Sequence, residues 1–415
     1  MKKSIGIWRS WALVAGMMIG SGIFTLPAVL APYGSYSFIG WIVSGLGAIC
    51  LAMSYSYLAR RNPALGGPYA YVYQAFGRYP AAITAWAYWI SLWCASAAIV
   101  LAFSGYFEIL LPWLLNHQLV AGLSNNIVLS VIVLMLFTLI NLRGVREAGT
   151  VQLFTTVLKI IPLLLIGLLG AAYGEVQHIP ATNPDNDSFL HMIAAICLLI
   201  TWSFIGVESA TLPADDTVEP QKTIPRASVL GTLTALLVYM VAMYGVMSVL
   251  PLSSLLQSTS PFADAAQLLF GNTGAIIVAL GAVFAIGGAL NACILISGTI
   301  MLAGAKDGLY PNYFAKTTAQ GTPRRALIFS SLLSLLLIVL NTSKALLSAF
   351  EMFLILSTFC VLLVYLLSAL ASLKLQWQDK QQGIPIHYAN LAVGALATLF
   401  AALALLGAGV LYYAN

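Results

Sequence analysis

Apolar runs long enough to cross a bilayer as helices recur along almost the whole chain. Short segments rich in charge, proline and glycine separate them. The pattern predicts spans near 7–30, 36–58, 80–112, 125–142, 150–173, 189–212, 227–250, 270–304, 325–341, 346–372 and 388–412. The 80–112 and 270–304 stretches exceed the ~20 residues a helix needs to cross, so they tilt or project beyond the membrane. Two runs are interrupted by polar residues and glycines at depth. The first interruption is Gly16-Met17-Met18-Ile19-Gly20-Ser21-Gly22-Ile23-Phe24. The second is Thr201-Trp202-Ser203-Phe204-Ile205-Gly206-Val207-Glu208-Ser209-Ala210.

Glycine in a helix interior costs about 1 kcal/mol relative to alanine, and here it lets the backbone leave the helix and bare its polar groups. A half-helix N-terminus offers N–H donors and partial positive charge to an α-carboxylate, and carbonyls at the opposing half-helix end accept from an ammonium. Gly20-Ser21-Gly22 is also compatible with a small-residue packing face between helices. Its pairing with a second interrupted run favours a binding site. Ile19-Gly20 before the first break is echoed by Ile205-Gly206 before the second. If spans 1–5 and 6–10 are equivalent halves, each break lies in the first helix of its half. Because five is odd, the halves are then inverted in the membrane.

Composition agrees with a polytopic membrane protein. The 415 residues are 60% hydrophobic and 7% charged, against about 25% charged in soluble domains. That leaves no room for a large soluble domain. Residues 1–415 are read as a single transmembrane transporter domain, with repeats over about 7–173 and 189–372 and an accessory span over about 388–412. Met1-Lys2-Lys3-Ser4-Ile5 leads into the first span without an Ala-x-Ala site, so that span is expected to be retained.

The cations set the orientation. With the N-terminus inside, the inner segments hold Lys2, Lys3, Arg9, Arg60, Arg61, Arg78, Arg143, Arg146, Lys222, Arg226, Lys306, Lys316, Arg324, Arg325, Lys374 and Lys380, and the outer segments hold Lys344 alone. This predicts a cytoplasmic N-terminus. The net charge of +5 is absorbed by topology and calls for no nucleic acid. Asn183-Pro184-Asp185-Asn186-Asp187 and Ser258-Thr259-Ser260-Pro261 read as outer turns.

Few residues are left to carry chemistry. A charge at membrane depth costs about 2.5–3.5 kcal/mol even on lenient scales, so it faces protein or a water-filled cavity. Glu208, if unpaired, is a candidate proton carrier or partner for a substrate ammonium; alternatively it is a structural carboxylate. The Trp202 indole either covers a substrate or packs. Lys159, within Val157-Leu158-Lys159-Ile160-Ile161-Pro162, either substitutes for a bound cation or tethers carbonyls freed by the first break. Glu108 and Glu351 lie near span ends and read as solvated positions. Cys50, Cys94, Cys197, Cys293 and Cys360 fall in apolar runs as small buried hydrophobes. The histidines His117, His178, His191 and His387 lack metal-ligand spacing. No glycine-rich loop ends in Lys-Ser/Thr, so ATP-driven transport is unsupported, and no nucleophile–base pair suggests an enzyme.

Five stretches carry a resemblance: Gly20-Ser21-Gly22-Ile23-Phe24 with Pro27, Gly66-Gly67-Pro68-Tyr69-Ala70-Tyr71, Trp202 to Ala210, Pro225-Arg226, and Asp307-Gly308-Leu309-Tyr310-Pro311. Together they make the chain similar to the amino acid–polyamine–organocation superfamily. Within it the chain resembles the basic amino acid/polyamine antiporter branch, especially the bacterial arginine–agmatine exchangers. The resemblance implies an all-α fold with a five-plus-five inverted repeat and discontinuous helices 1 and 6. It implies that the glycine-serine-glycine break holds the α-carboxylate and α-amino groups. In the same way Trp202 gates the substrate, Ile205 packs on its aliphatic part, and Glu208 couples gating to protons. Three positions depart from that branch. Cys293 stands where the exchangers stack a tryptophan, Ser96 stands where they place an asparagine, and Lys159 resembles the lysine of sodium-independent proton-coupled transporters.

The candidate substrate-binding set is Ile19, Ser21, Gly22, Ile23, Ser96, Trp202, Ser203, Ile205, Cys293 and Ser357. Glu208 and Lys159 are the candidate proton-coupling or gating residues. The site is placed between spans 1, 3, 6, 8 and 10. No catalytic residue, metal or cofactor is expected. The expected partners are an amino acid or amine, protons and the lipid bilayer, with a homodimer left open. Exchange of an amino acid for an amine is the first reading. Proton-coupled, sodium-independent uptake is the second, and a non-transporting amino acid receptor is a third of a different class.

Overall fold

Backbone polar groups in lipid must be satisfied within their own segment, so apolar runs of this length are built as helices. The computed structural model describes residues 6–61, 67–111, 124–143, 148–184, 186–211, 217–318, 321–340, 346–385 and 387–414; the side chains of 148–155, 158 and 410–414 are not among them. The helices are α1 (Ile7–Met18), α2 (Ser21–Leu30), α3 (Tyr36–Arg61), α4 (Pro68–Phe76), α5 (Arg78–Leu110), α6 (Asn125–Arg143) and α7 (Ala148–Tyr173). They continue with α8 (Phe189–Thr201), α9 (Pro220–Val249), α10 (Leu252–Leu255), α11 (Pro261–Lys306), α12 (Arg324–Leu340), α13 (Leu346–Gln381) and α14 (Tyr388–Ala414). Lys2, Lys3, Arg146, Lys344, His117, Asp185 and Gly66 lie outside the described residues.

Among the described residues, nine helical segments are long and apolar enough to cross a membrane. The two other predicted spans coincide with α7, whose described apolar stretch is Lys159–Tyr173, and with α12, which has 17 residues. The chain is thus an all-helical, multi-pass membrane protein. Some predicted ends moved because helices run on beyond their apolar stretches. α9 starts at Pro220, not near 227, because proline suits a first helical turn that has no N–H partner to lose. α13 continues past 372 to Gln381. α11 starts early, at Pro261, but Gly271 at φ +70° breaks it, and the part beyond that break matches the predicted span.

The surface is apolar where a bilayer would touch it. Leu46, Ile132, Leu136, Leu168 and Phe284 all point outward. Inside, hydroxyls fold back onto their own helices, as Thr201 Oγ1 does to the Cys197 carbonyl at 2.6 Å and Thr84 Oγ1 to that of Pro80 at 2.8 Å. α5 packs along both α11 and α13, α1 lies against α7 and α9, and α8 lies against α3 and α14. The interrupted helices are therefore enclosed by the bundle.

Two of the stretches that carry the resemblance meet. The Tyr69 hydroxyl donates to Asp307 Oδ2 at 2.7 Å, Arg78 donates to the Gly308 carbonyl at 3.0 Å, and the Tyr310 hydroxyl donates to the Ala85 carbonyl at 2.6 Å. Burial, with the Asp307 carboxylate adding to it, holds the Tyr69 phenol above its ordinary range, so it stays a donor. These bonds clamp α4 and the start of α5 to the end of α11.

Candidate functional site

The first predicted break is realised between α1 and α2. α1 stops at Met18, Ile19 and Gly20 leave helical geometry, and a new helix starts at Ser21. A helix start leaves its first N–H groups without intrahelical partners, and no side chain caps α2. The same few residues thus hold the carbonyl end of one helix and the N–H end of the next.

The second break is longer. α8 ends at Thr201, Trp202–Phe204 form a tight 3-10 turn, Ile205 is extended, and Ser209–Thr211 form another 3-10 turn. Gly206 has φ +111°, a conformation that L side chains rarely adopt, and a Cβ there would lie 2.8 Å from Met17 Cβ. Both the dihedral and the space demand glycine. The breaks also touch directly, because a Cβ on Gly22 would sit 2.5 Å from Ser203 Oγ and 2.8 Å from Trp202 Cδ1.

A cavity of about 60 Å³ opens between them. Ser21, Gly22, Trp202, Ile205, Cys293 and Ser357 line it, so six of the predicted residues share one space, together with Met17, Met18, Gly20, Ser91, Leu92, Ala95, Ile99 and Ala289. At about 10–15 Å³ per water, the cavity holds a few waters or a small polar group. The Cys293 thiol donates to the Leu92 carbonyl at 3.1 Å and the Ser357 hydroxyl to that of Ser91 at 2.7 Å, which fixes both side chains against α5. The Trp202 ring stands edge-on to Phe350, with centroids 6.4 Å apart. No charged side chain lines the cavity.

The other predicted residues lie behind this lining. Ile19 and Ile23 are fully buried in the apolar core. Ser96 donates to the Leu92 carbonyl at 3.0 Å. Ser203 is buried beside Gly22, its carbonyl accepting from Tyr239 at 3.1 Å and its own hydroxyl finding no partner among the described residues.

Glu208 is not the unpaired carboxylate that its isolation in the sequence suggested. It is 1% exposed and accepts from the Tyr88 hydroxyl at 2.5 Å and the Tyr365 hydroxyl at 2.9 Å. The Tyr365 oxygen also accepts from the Gly206 N–H at 3.4 Å, so the carboxylate is wired to the second break. Sequence reasoning missed both tyrosines. They sit 120 and 157 residues from Glu208, and a tyrosine in an apolar run carries no local signal.

Lys159 is buried on α7, and its ammonium donates to the Gly16 carbonyl at 3.4 Å. Gly16 lies in the last turn of α1, where carbonyls lack intrahelical partners and the helix end is partially negative. Among the described residues Lys159 has no carboxylate partner. It therefore tethers the first broken helix at its open end, one wall away from the cavity.

Comparison with known proteins fits this geometry. The family model for amino acid permeases matches residues 5–414. A cadaverine/lysine antiporter of Escherichia coli (strain K12) is 30% identical, over 98% of this chain and 90% of the relative. A putative arginine/ornithine antiporter of Bacillus subtilis (strain 168) is 29% identical, over 95% of this chain and 90% of the relative. A putrescine transporter of Haemophilus influenzae is 28% identical, over 98% of this chain and 92% of the relative. The resemblance to the amino acid–polyamine–organocation superfamily is borne out, and these relatives are transporters rather than enzymes.

Proposed function

The chain belongs to the amino acid permease family, and from that premise we propose that it is a secondary transporter exchanging an amino acid for a related amine. The carrying observation is the meeting of two broken helices at one cavity, with the uncapped α2 N-terminus and the carbonyl end of α1 side by side. That pair of helix ends suits a group that is anionic on one side and cationic on the other, as an amino acid backbone is. The antiporters among the relatives support exchange over one-way flux. In this reading Ser21, Gly22, Trp202, Ile205, Cys293 and Ser357 surround the substrate, while Ile19, Ile23, Ser96 and Ser203 shape the lining from behind. Glu208 couples opening to protons through Tyr88 and Tyr365. The chain crosses the bacterial inner membrane eleven times with its N-terminus in the cytoplasm. Residues 7–173 and 189–372 form inverted halves that rock about the site.

Counterflow in proteoliposomes tests this. Vesicles are loaded with unlabelled amino acids or amines, one at a time, and uptake of labelled arginine, lysine, ornithine and neutral amino acids is followed at acidic and neutral pH. Strong stimulation by one internal amine is the expected result. Uptake into empty vesicles driven only by a proton gradient would replace exchange with proton-coupled uptake.

Lys159 favours that second reading, because its ammonium occupies the open end of α1 where a bound cation would otherwise be needed. Lys159→Ala is expected to slow transport severalfold or to make it depend on added sodium, since the α1 carbonyls lose their cation. Flux assayed with and without sodium decides it. Wild-type, sodium-independent flux in the variant would leave Lys159 a bystander.

A further inference from the structure

A second cavity, of about 130 Å³, lies apart from the first, between α3, α9, α13 and α14. It sits at the end of α3 that carries Arg60 and Arg61, the side the cation bias assigns to the cytoplasm. Transport as described above makes no use of it. Its lining contains two unsatisfied polar atoms in buried side chains. Ser54 is 4% exposed and Gln376 is 1% exposed, and neither Ser54 Oγ nor Gln376 Oε1 has a hydrogen-bond partner among the described residues. The Gln376 amide nitrogen is engaged with Ser372 Oγ at 3.1 Å and the Asn390 carbonyl at 3.4 Å, which leaves the oxygen turned to accept. A buried acceptor of this kind calls for a donor from a ligand or a water.

Charge at the cavity is one-sided. Arg61 is committed to Asp379, its Nε 3.0 Å from Oδ1, and the Tyr57 hydroxyl also donates to that carboxylate. Arg60 lines the cavity, is solvent-exposed and has no ion pair among the described residues. The cavity therefore offers a guanidinium for an anion and, deeper in, acceptors for a hydrogen-bond donor.

Its mouth continues into an apolar groove. On α3, Gly45 meets Leu236 of α9 and Gly47 meets Phe400 of α14. Leu46, between them, therefore points out through the gap separating those two helices and is 58% exposed. Ile42 and Met53 fall on the same face of α3 at helical spacing, 48% and 38% exposed, and Met53 also lines the cavity. Val229 of α9 and Val393 of α14 flank it, and Leu233 and Leu396 carry the two walls outward. A polar pocket with a cation at its rim, opening onto an apolar strip of membrane depth, has the shape of a phospholipid.

We propose that the α3–α9–α13–α14 cavity binds a phospholipid whose headgroup carries both a phosphate and hydrogen-bond donors, such as ethanolamine or glycerol. Arg60 pairs with the phosphodiester, Gln376 Oε1 and Ser54 Oγ take the headgroup donors, and one acyl chain lies over Met53, Leu46 and Ile42. A choline headgroup supplies the phosphate but no donor, so the site discriminates against it. The lipid then bridges α14 to α3 and α9.

Native mass spectrometry of the delipidated full-length protein, titrated with phosphatidylethanolamine, phosphatidylglycerol and phosphatidylcholine of one chain composition, tests this. Ethanolamine and glycerol lipids should bind at least about fivefold more tightly than choline lipid, reflecting the unmade hydrogen bonds. Arg60→Gln should weaken all three by about tenfold through loss of the charge-assisted bond. Ser54→Ala, which needs no charge change, should narrow the ethanolamine-over-choline preference. Equal binding of the three lipids, untouched by either variant, would overturn the proposal and leave a hydrated pocket. Soluble phosphoethanolamine competing as strongly as the lipid would overturn it too, by showing a site for a free phosphate. The wild-type headgroup comparison stands even where a variant fails to fold.

Discussion

Gly22→Leu is expected to abolish substrate binding in a protein that still folds. The first atom of the new side chain would lie 2.5 Å from Ser203 Oγ and 2.8 Å from Trp202 Cδ1. The Ser203 hydroxyl, without a partner among the described residues, can turn aside, but the Trp202 ring is set against Phe350 and has no easy retreat. The strain is therefore relieved by pushing the two breaks apart, which moves the α2 N–H groups off the cavity. Overpacking costs about 1–3 kcal/mol, and misplaced donors add to it, so affinity should fall by roughly a hundredfold or more. Gly22→Ala, with the same first atom and nothing beyond it, should fall in between. Binding of the counterflow substrate by scintillation proximity, alongside monodispersity in detergent, separates lost affinity from lost fold. Full affinity in Gly22→Leu would mean that the first break is a packing face.

The spans were legible because lipid leaves an apolar run few choices: it must be helical, and its length must match the bilayer. Their ends were less legible. Pro220 and Pro261 read as loop residues, yet each starts a helix, since proline at a first turn gives up no hydrogen bond. Both breaks could be read from glycine and serine at membrane depth, because those residues mark them locally. The surroundings of Glu208 could not be. Tyr88 and Tyr365 come from α5 and α13, and only the packing of those helices brings their hydroxyls onto one carboxylate. Ser203 shows the limit within a single motif. It neighbours Trp202 in the chain, but the 3-10 turn rotates its side chain onto Gly22 and out of the lining. Ser54 and Gln376 looked like ordinary positions for the same reason, since a cavity between four helices leaves no mark on any one of them.

Glu208→Gln is expected to flatten the pH dependence of transport. As a carboxylate, Glu208 accepts two hydroxyl bonds, one from Tyr88 and one from Tyr365, and the Tyr365 oxygen accepts in turn from the Gly206 N–H. A protonated carboxyl becomes a donor at one oxygen, so one tyrosine bond must turn or break. If the Tyr365 bond yields, the Gly206 N–H loses a settled partner at the residue whose φ of +111° defines the second break. A proton would thereby be converted into backbone freedom beside the cavity, without Glu208 touching the substrate. Glutamine keeps the shape and one acceptor oxygen but cannot change state, so the variant's flux should vary by less than about twofold between acidic and neutral pH while the wild type's varies more. Tyr365→Phe cuts the link instead of the titrating group. It should retain substrate affinity yet also lose the pH response, which a purely structural carboxylate would not produce. An unchanged pH profile in Glu208→Gln would remove the proton role and leave the tyrosine pair as a latch that simply holds α5 and α13 to the broken helix.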